Sequence, residues 1–393
     1  MKPKQTRKSA AAYPLEMEGT PVEYLESRRE QLYDWMEQED ISLAMFEDTE
    51  GSRDTAIRYL TGHPGDALLF LSATRHSMLV PWDINIANLY GNADTIIPYG
   101  QFDRRPVRAL REAAEYYELP KMAYVEIAPT TSYLDFLAYV EELHDYDIRC
   151  RKDGIHEEVK KMRAIKDEEE IRLYRIVSGY TNLLIDRLEH EVAFGNLKTE
   201  SDVALFIEAE GRAMGCEGTG FETLAAGPSR SFAIHAFPSY TGQPFGTQGL
   251  SVLDFGLKYQ GYTSDVTATF VRVPLTQAQE QLLSLTQKAY HRAASLVKPG
   301  ASIRTVALEV DRLFEKSRKK MPHALGHGIG LETHEAPFLR TREDEASSFQ
   351  PGMIFTLEPG LYDPKHGGCR YENDFLVTDS GCEVLTSSRL IYL

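Results

Sequence analysis

The chain has 393 residues, of which 42% are hydrophobic and 26% charged, a composition typical of a globular protein with two domains or one large one. Its 59 acidic residues outnumber its 43 basic residues, and the formal net charge is −16. Because phosphates are repelled by such a charge, nucleic acids and anionic membranes are disfavoured as partners. We find no run of roughly 18 apolar residues and no secretory signal after the basic start, so we expect a cytoplasmic protein.

The first half of the chain alternates between strand-like and helix-like patterns. Residues 1–20 are polar and rich in small residues, which predicts a flexible N-terminal arm. The predicted elements that follow are helices over 21–38, 106–118 and 131–142, and strands over 41–46, 67–71, 77–80 and 95–98. This alternation predicts an α/β domain over residues 21–155.

The second half, residues 156–393, begins with long helices and continues with strands. One charged helix is predicted over 157–190, with the acidic block 166–170 inside it. The other predicted elements are helices over 199–214, 276–297 and 302–319, and strands over 249–257, 261–273, 353–357 and 375–378. This order predicts an α+β domain in which helices pack on antiparallel sheet.

Five residues in the second half stand in short, unusual contexts. They are Asp254 in LDFG, Asp265 in TSDVT, His327 in GHGIG, Glu358 in EPG and Glu372 in RYEND. Four carboxylates and one imidazole suit a pair of hard divalent cations, whose charge would neutralise the carboxylates. Two such cations can hold a hydroxide between them and hydrolyse an amide. The sequence therefore predicts a dinuclear metal centre.

Asp254 and Asp265 flank a predicted hairpin that turns at Gln260 and Gly261. With a two-residue loop, the residue numbers of each cross-strand pair have an odd sum. The numbers of Asp254 and Asp265 also have an odd sum, so the two aspartates fall on the same face of the hairpin, either directly opposite or diagonal. Two carboxylates that close repel each other and favour a cation between them. A three-residue loop would break this argument. Taken singly, Asp254 can also be a strand-end cap and Asp265 a turn former.

The other three residues also have ordinary interpretations when each is taken alone. A histidine between glycines can be structural, a strand-end glutamate can be exposed, and Asp374 beside Glu372 is equally acidic. His334 follows His327 by seven residues, and a turn is forced just after Glu358, which favours a shared site. A metal centre is the only one of these interpretations that explains all five sequence contexts together.

These motifs resemble those of the pita-bread metallopeptidase family of aminopeptidase P, prolidase and methionine aminopeptidase, over roughly residues 160–390. Residues 21–150 are similar to the smaller N-terminal domain of aminopeptidase P, prolidase and creatinase, with RYLTG at 58–62 as a shared motif. The resemblance implies a pita-bread catalytic domain preceded by a creatinase-type α/β domain, and a homodimer. Because methionine aminopeptidases usually lack such a first domain, it implies the Xaa-Pro peptidase branch.

The resemblance also assigns roles to the five acidic and histidine residues. Asp254 would chelate one metal ion, His327 and Glu358 the other, and Asp265 and Glu372 both. Glu358 would in addition be the general base that takes the proton of the attacking water.

Several basic residues match further positions of the family. His235 in HAFPS and His334 in THE match its two substrate-side histidines, which we expect to hold the substrate and to hydrogen-bond the carbonyl oxygen as it becomes tetrahedral. Arg370 matches the arginine before the last glutamate and would orient that carboxylate or face the substrate terminus. Arg340 and Arg342 lie near the position at which prolidases hold a substrate carboxylate, but their register is open.

The implied function is a metal-dependent hydrolase that cleaves the Xaa-Pro bond of dipeptides or peptide N-termini through a hydroxide shared by two metal ions. Oxygen-rich ligation with one histidine favours manganese, while cobalt, zinc and iron also fit. The choice between dipeptidase and aminopeptidase stays open, as does the role of His63 in HPGD, which closes the cleft or is a polar turn. Two other hypotheses are a hydrolase or lyase of a small non-peptide substrate, creatinase-like or ectoine-hydrolase-like, and an inactive binding module. The five intact contexts disfavour the inactive module.

Overall fold

The first half of the protein is built on one six-stranded sheet. The structure, a computed structural model, describes residues 19–344 and 346–393, so the predicted arm lies, up to residue 18, outside the described residues. The elements of this half are α1 (Val22–Gln38), β1 (Leu43–Asp48), α2 (Ala56–Thr61), β2 (Ala67–Ser72), β3 (His76–Pro81), α3 (Ile84–Tyr90), β4 (Thr95–Ile96), a 3-10 helix (Tyr99–Phe102), α4 (Pro106–Tyr116), β5 (Tyr124–Glu126), α5 (Tyr133–Glu142) and β6 (Asp147–Arg149). The strand order is β4-β3-β2-β1-β5-β6, antiparallel in the middle and parallel at both sides. The three helices and four strands predicted here are confirmed to within a few residues.

Both faces of this sheet are covered, which explains the continuous apolar run of β2. Leu68 and Phe70 pack in a cluster that includes residues of α4 and α5. Leu69 and Leu71 pack in a larger cluster that includes residues of α1 and α2 and reaches into the second half of the chain. Because side chains alternate across a strand, all six residues of β2 are buried. The sheet therefore packs against the second half through one of its two apolar faces.

The second half contains five helices and fourteen strands among the described residues. They are α6 (Ile155–Ala164), α7 (Glu168–Ala193), α8 (Glu200–Ala213), β7 (Gly218–Thr219), β8 (Leu224–Ala226), β9 (Gly249–Phe255), β10 (Leu257–Tyr259), β11 (Tyr262–Thr263), β12 (Val266–Arg272), α9 (Gln277–Ala294), α10 (Ile303–Lys316), β13 (Gly326–Gly328), β14 (Glu335–Leu339), β15 (Ile354–Leu357), β16 (Gly360–Asp363), β17 (Gly367–Arg370), β18 (Asn373–Thr378), β19 (Gly381–Val384) and β20 (Leu390–Tyr392). The strands form four sheets, ordered β11-β10-β7, β20-β12-β9-β8, β14-β13-β15-β18-β19 and β16-β17. All pairs are antiparallel except β12 with β20, which confirms the predicted α+β character.

The single helix predicted over 157–190 is wrong, because the chain breaks between α6 and α7. Asp167 caps α7: its side chain accepts the N–H of Glu170 at 2.9 Å, and the Glu170 side chain accepts the N–H of Asp167 at 3.0 Å. This reciprocal capping box begins a new helix, and the acidic residues after it suit the positive end of the helix dipole. The acidic block is therefore the start of α7 and not the interior of one helix.

The division of the chain into 21–155 and 156–393 stays a prediction. All strands of the six-stranded sheet end by residue 149, and all other strands begin at residue 218 or later. The predicted boundary falls in the first turn of α6. In the described part of the chain, every helix is too short or too polar to span a bilayer.

Candidate metal centre

One cavity of the second half collects the residues singled out from the sequence. It has a volume of ≈ 470 Å³, and its wall includes all five acidic and histidine residues of the predicted centre together with three basic residues. These are Asp254, Asp265, His327, Glu358 and Glu372, with His235, His334 and Arg370. The wall also contains large apolar side chains, namely Phe221, Leu224, Ile234 and Phe338.

The five predicted ligands come from strands of two sheets. Asp254 lies on β9 and Asp265 just before β12, whereas His327 lies on β13, Glu358 just after β15 and Glu372 just before β18. Asp265, His327 and Glu372 each offer a ligand atom, and these atoms lie within 4.8 Å of one another. The Nε2 atom of His327 also lies 3.6 Å from Oε1 of Glu358. The place where the two sheets meet can therefore hold a metal ion.

The predicted hairpin between Asp254 and Asp265 is confirmed, including its two-residue loop. Tyr259 pairs with Tyr262, and the same odd-sum register continues into β9 and β12. The loop residues Gln260 and Gly261 have φ angles of 46° and 88°, as a type I′ turn requires. Asp265 stands two residues from the position that pairs with Asp254, so the two aspartates are diagonal neighbours on one face.

The glycines beside His327 let neighbouring strands pack against β13 without side chains between them. A Cβ atom on Gly326 would overlap the carbonyl oxygen of Thr356, and one on Gly328 would overlap that of Ala336. The hydroxyl of Thr356 in addition accepts the N–H of His327 at 3.3 Å. The two glycines therefore allow the backbone of His327 to pack closely between neighbouring strands, while the imidazole ring of His327 faces the cavity.

His327 presents an unprotonated nitrogen to the carboxylates. Its Nδ1 lies 3.1 Å from the carbonyl oxygen of Gly328, which can only accept, so Nδ1 carries the proton. Burial and the neighbouring His334 lower the pKa of His327 to about 4, which keeps the ring neutral. Its free Nε2 then faces Asp265 Oδ2 at 3.7 Å and Glu358 Oε1 at 3.6 Å. A lone pair that faces two carboxylates is the arrangement a cation satisfies.

The carboxylates disfavour one another when no cation lies between them. Burial and the charge of Glu372 raise the pKa of Asp265 well above its usual range, and the same two causes raise the pKa of Glu358 well above its usual range. Burial and Asp254 raise the pKa of Glu372 to about 7. A bound cation would remove the repulsion and stabilise the ionised forms.

Asp254 has a buried oxygen that fits a metal ion. Its Oδ2 pairs with the guanidinium of Arg370, whereas its Oδ1 is buried and accepts no hydrogen bond from the described residues. A buried carboxylate oxygen without a partner is costly. The donor set of hard oxygens and one imidazole nitrogen, with this orphaned oxygen among them, therefore fits divalent cations.

Arg370 contacts a different carboxylate from the adjacent one suggested by the sequence. Its guanidinium binds Asp254, the hydroxyl of Tyr362 at 2.8 Å, the carbonyl oxygen of Ile234 at 3.1 Å and the hydroxyl of Thr267 at 2.8 Å. Thr267 in turn donates to Glu372 at 2.6 Å. Arg370 thus orients Asp254 directly and reaches Glu372 through Thr267; a contact with the substrate stays a prediction.

Asp374, the acidic neighbour of Glu372, supports the site from behind. Its Oδ2 accepts the backbone N–H of Asp265 at 3.1 Å, and Asp374 is not among the residues that line the cavity. Glu372 precedes β18 and accepts the hydroxyl of Thr267, whereas Asp374, inside β18, makes its contact with the backbone before β12. Asp374 therefore holds the backbone that presents Asp265.

The two predicted substrate-side histidines lie on different parts of the cavity wall. His334 packs against His327, with 4.2 Å between ring centroids, and burial lowers its pKa. His235 is exposed on the loop after β8, in the same segment as the carbonyl that Arg370 contacts. Both imidazoles line the space next to the carboxylates, where a reacting carbonyl group would lie.

His323 and Tyr362 line or support the site and are absent from the sequence-based prediction. Nδ1 of His323 donates to the carbonyl oxygen of Ala324 at 2.8 Å, so its Nε2 accepts the Tyr362 hydroxyl at 3.2 Å. The Tyr362 hydroxyl accepts from Arg370, so these groups form one chain from His323 to Asp254. Burial and Arg370 lower the pKa of His323 to about 4. The available signal was its position four residues before His327.

The remaining basic residues of interest do not line this cavity. Arg340 pairs with Glu343 at 2.9 Å and, with Arg342, lines a neighbouring cavity of ≈ 310 Å³. That cavity shares His323 with the metal site, so the two arginines lie close to it without facing it. His63 is buried in the first half of the chain, which does not support a polar surface turn at this position.

The chain matches metallopeptidase family M24 over residues 172–379, more than half of its length. Among curated relatives, the Xaa-Pro dipeptidase of Pyrococcus furiosus is 31% identical over 72% of this chain and 79% of the relative. The uncharacterized peptidase YqhT of Bacillus subtilis is 28% identical over 85% of this chain and 92% of the relative. The protein therefore belongs to metallopeptidase family M24, a family of metal-dependent peptidases.

Solved structures show the same fold. The prolidase from Pyrococcus horikoshii superposes with a TM-score of 0.79 at 22% identity, covering 93% of this chain and 99% of that one. The Xaa-Pro dipeptidase from Bacillus anthracis has a TM-score of 0.80 at 23% identity, covering 94% and 100%. The X-Pro aminopeptidase from Thermotoga maritima has a TM-score of 0.78 at 22% identity, covering 93% and 100%. The predicted pita-bread fold is confirmed.

Proposed function

We propose that this protein hydrolyses the Xaa-Pro amide bond of dipeptides or of peptide N-termini. The observation that carries the proposal is the convergence of four carboxylates and a neutral histidine on one cavity, with two further imidazoles beside them. Relatives with a dipeptidase name cover most of the chain, and the solved structures that share the fold include prolidases and an X-Pro aminopeptidase.

The proposed metal ligands follow the sequence-based assignment. Asp254 would hold one divalent cation, His327 and Glu358 would hold the other, and Asp265 and Glu372 would be shared by the two sites. Their oxygen-rich character favours manganese, with cobalt, zinc and iron as alternatives. Bound cations supply Lewis acidity toward the carbonyl oxygen and lower the pKa of the attacking water.

Different residues of the chain carry out proton transfer and stabilisation of the oxyanion. Glu358 takes the proton of the attacking water and passes it to the leaving nitrogen of proline. His235 and His334 donate hydrogen bonds to the carbonyl oxygen as negative charge develops on it. Arg370 and Thr267 keep Asp254 and Glu372 in place through the hydrogen bonds described above. The apolar part of the wall excludes water and accommodates an apolar ring.

The test is cleavage of a peptide panel by protein stripped of metal and reloaded with manganese. The panel contains Ala-Pro, Gly-Pro, a longer Xaa-Pro-Xaa peptide and Ala-Ala as the control substrate. Cleavage of the dipeptides alone identifies a dipeptidase, and cleavage of the longer peptide identifies an aminopeptidase. Glu358→Gln should abolish cleavage, whereas Asp379→Asn, on the exposed turn after β18, should leave it intact.

If manganese binds and no Xaa-Pro bond is cut, the peptidase proposal fails and a small non-peptide substrate takes first place. If no metal binds, the proposed ligand set is itself wrong. The homodimer expected from the resemblance stays a prediction, which light scattering of the purified protein would check. The cytoplasmic location also stays a prediction.

A further inference from the structure

A buried carboxylate fastens the turn that carries His334. Glu335, the first residue of β14, is 6% exposed. Its Oε1 accepts the backbone N–H of Glu332 at 3.0 Å and the guanidinium of Arg163, and its Oε2 lies 3.4 Å from Nζ of Lys166. The carboxylate therefore connects the two ends of the turn and binds it to the last turn of α6 and to Lys166 just after that helix.

Glu335 carries its charge in spite of its burial. Burial alone would raise the pKa of its carboxyl group, but Lys166 and Arg163 outweigh it and hold the pKa below its usual value. The side chains of Arg163 and Lys166 are themselves 4% and 0% exposed. Buried charges are tolerated only where each is paired in good geometry. The three groups therefore favour one arrangement of the turn over others.

The backbone of the turn leaves room for this carboxylate. A Cβ atom on Gly330 would overlap the carboxyl group of Glu335. The carbonyl oxygen of Gly330 accepts the N–H of Thr263 at 3.0 Å, which joins the turn to β11 in the hairpin that leads to Asp265. Position 330 therefore requires glycine because a side chain there would occupy the space of the Glu335 carboxylate, and not because the turn needs to be flexible.

The same residue pairs directly with the strand that carries His327. Glu335 lies opposite Gly328 in the β13–β14 pair. The rings of His327 and His334 are 4.2 Å apart, so a shift of Glu335 would move one ring relative to the other. Because oxyanion stabilisation depends on donors held at a fixed distance, such a shift would weaken it.

We propose that Glu335 is a positioning residue for His334 and that Arg163 and Lys166 hold it in place. The inference rests on the proposed function, in which His334 donates a hydrogen bond to the reacting carbonyl oxygen. Glu332 extends the arrangement, since its Oε2 lies 3.4 Å from Arg163 and its Oε1 accepts the hydroxyl of Thr55 at 3.0 Å. Thr55 precedes α2, so the first half of the chain touches the same turn.

A double-mutant cycle of Glu335→Gln and His334→Ala tests the proposal on the manganese-loaded protein. We expect Glu335→Gln to lower kcat about tenfold or more with KM and metal stoichiometry little changed. In the His334→Ala background the same change should lower kcat by less than about twofold, because the residue acts through His334. If the two losses multiply, Glu335 has a purely structural role and the proposal is overturned.

Glu126→Gln is the matched control. Glu126 is also a buried carboxylate, it contacts Arg151 and accepts the N–H of Ile155, and it lies in the first sheet away from the cavity. We expect this variant to lower the temperature of unfolding and to leave kcat unchanged. If Glu335→Gln does not fold, Lys166→Gln, which leaves the pair between Arg163 and Glu335, replaces it in the cycle.

Hydrogen–deuterium exchange separates this proposal from the proposed function. In Glu335→Gln, peptides that cover residues 329–336 should exchange about tenfold faster or more, while those around residue 126 should not change. This result holds even if the wild-type protein cuts no Xaa-Pro bond, in which case only the proposed function fails. Unchanged exchange in the turn would overturn the positioning role.

Discussion

At the scale of single residues, the candidate ligands differ in the hydrogen bonds that hold them in place. Asp254 is held by Arg370, Glu372 by Thr267, and Asp265 by its backbone bond to Asp374. In contrast, among the described residues the carboxylate of Glu358 faces two imidazole nitrogens at 3.6 Å, beyond hydrogen-bond distance. A carboxylate that is less tightly fastened can change its partner during a reaction, which suits the role of general base proposed for Glu358.

We predict that Asp265→Asn weakens metal binding more than any change behind the site. The amide removes a negative charge at the position proposed to contact both cations, so we expect manganese affinity and kcat to fall about 100-fold or more. Isothermal titration with manganese and peptide hydrolysis measure the two effects. Asp379→Asn is the exposed control, and equal manganese affinity in both variants would contradict the assignment of Asp265.

At the scale of elements, the β10–β11 turn sets the register of the two aspartates. We predict that Gly261→Ala lowers the free energy of unfolding by about 1–2 kcal/mol, because position 261 has φ +88° and a Cβ atom there would lie 2.6 Å from Nε of Arg58. Gln260→Asn is the matched change, since asparagine tolerates the φ of 46° better than glutamine does. Urea denaturation measures both, and a loss of stability in Gln260→Asn as large as in Gly261→Ala would contradict this explanation.

Helix α6 contains a histidine whose burial makes stability depend on pH. His156 packs on Phe46, with ring centroids 4.4 Å apart, and burial, followed by Lys160, lowers its pKa to about 3. Asp54 lies 3.6 Å from its Nε2, but burial raises the pKa of Asp54 to about 6, so Asp54 offers little negative charge in acid. The imidazole therefore stays neutral in the folded state where the unfolded chain would protonate it.

The direction of the effect follows from this depressed pKa. The contribution of neutral His156 to the free energy of unfolding is fully present above the unfolded pKa of about 6.5. This contribution is lost as pH falls toward 3, by up to about 1.4 kcal/mol per pH unit. We predict that wild type loses free energy of unfolding relative to His156→Leu as pH falls from 6.5 to 4.5, a comparison that removes the opposite contribution of Asp54. Urea denaturation at several pH values checks this, with exposed His144→Leu as the control. Parallel pH profiles for wild type and His156→Leu would refute the prediction.

At the scale of the whole molecule, a partly buried ion pair joins the two halves. Arg58, on α2, forms a bidentate pair with Glu217, which precedes β7, and the two side chains are 17% and 22% exposed. We predict that Arg58→Met lowers the free energy of unfolding by about 1–3 kcal/mol, because it leaves the Glu217 carboxylate partly buried without its partner.

Arg175→Met is the control for this prediction. Arg175 pairs with Glu383 on the surface, where both side chains are about half exposed, so its loss should change stability by less than about 0.5 kcal/mol. Equal effects of the two substitutions would show that the contact between the halves does not depend on the Arg58 pair.

Much of the site was predictable from short-range patterns. Asp254, Asp265 and the two-residue turn between them follow from strand alternation and turn chemistry, which depend on neighbours in the chain. The same holds for Glu358, which ends a buried strand before a forced turn. The break before α7 is also encoded in the sequence by Asp167 and Glu170, but an acidic run fits the surface of a continuous helix equally well, so the pattern alone does not reveal the break.

Local patterns in the chain identify which side chains suit divalent cations and which face of the hairpin carries them, because those properties depend on neighbouring residues. Three sets of contacts become apparent only in the folded protein: Arg370 with Asp254, His323 and Tyr362 in the same chain of hydrogen bonds, and Glu335 with Arg163. These partners are up to 172 residues apart, and their meeting depends on the order of strands in separate sheets. Strand order is set by the packing of whole sheets and helices, which no local pattern of residues specifies.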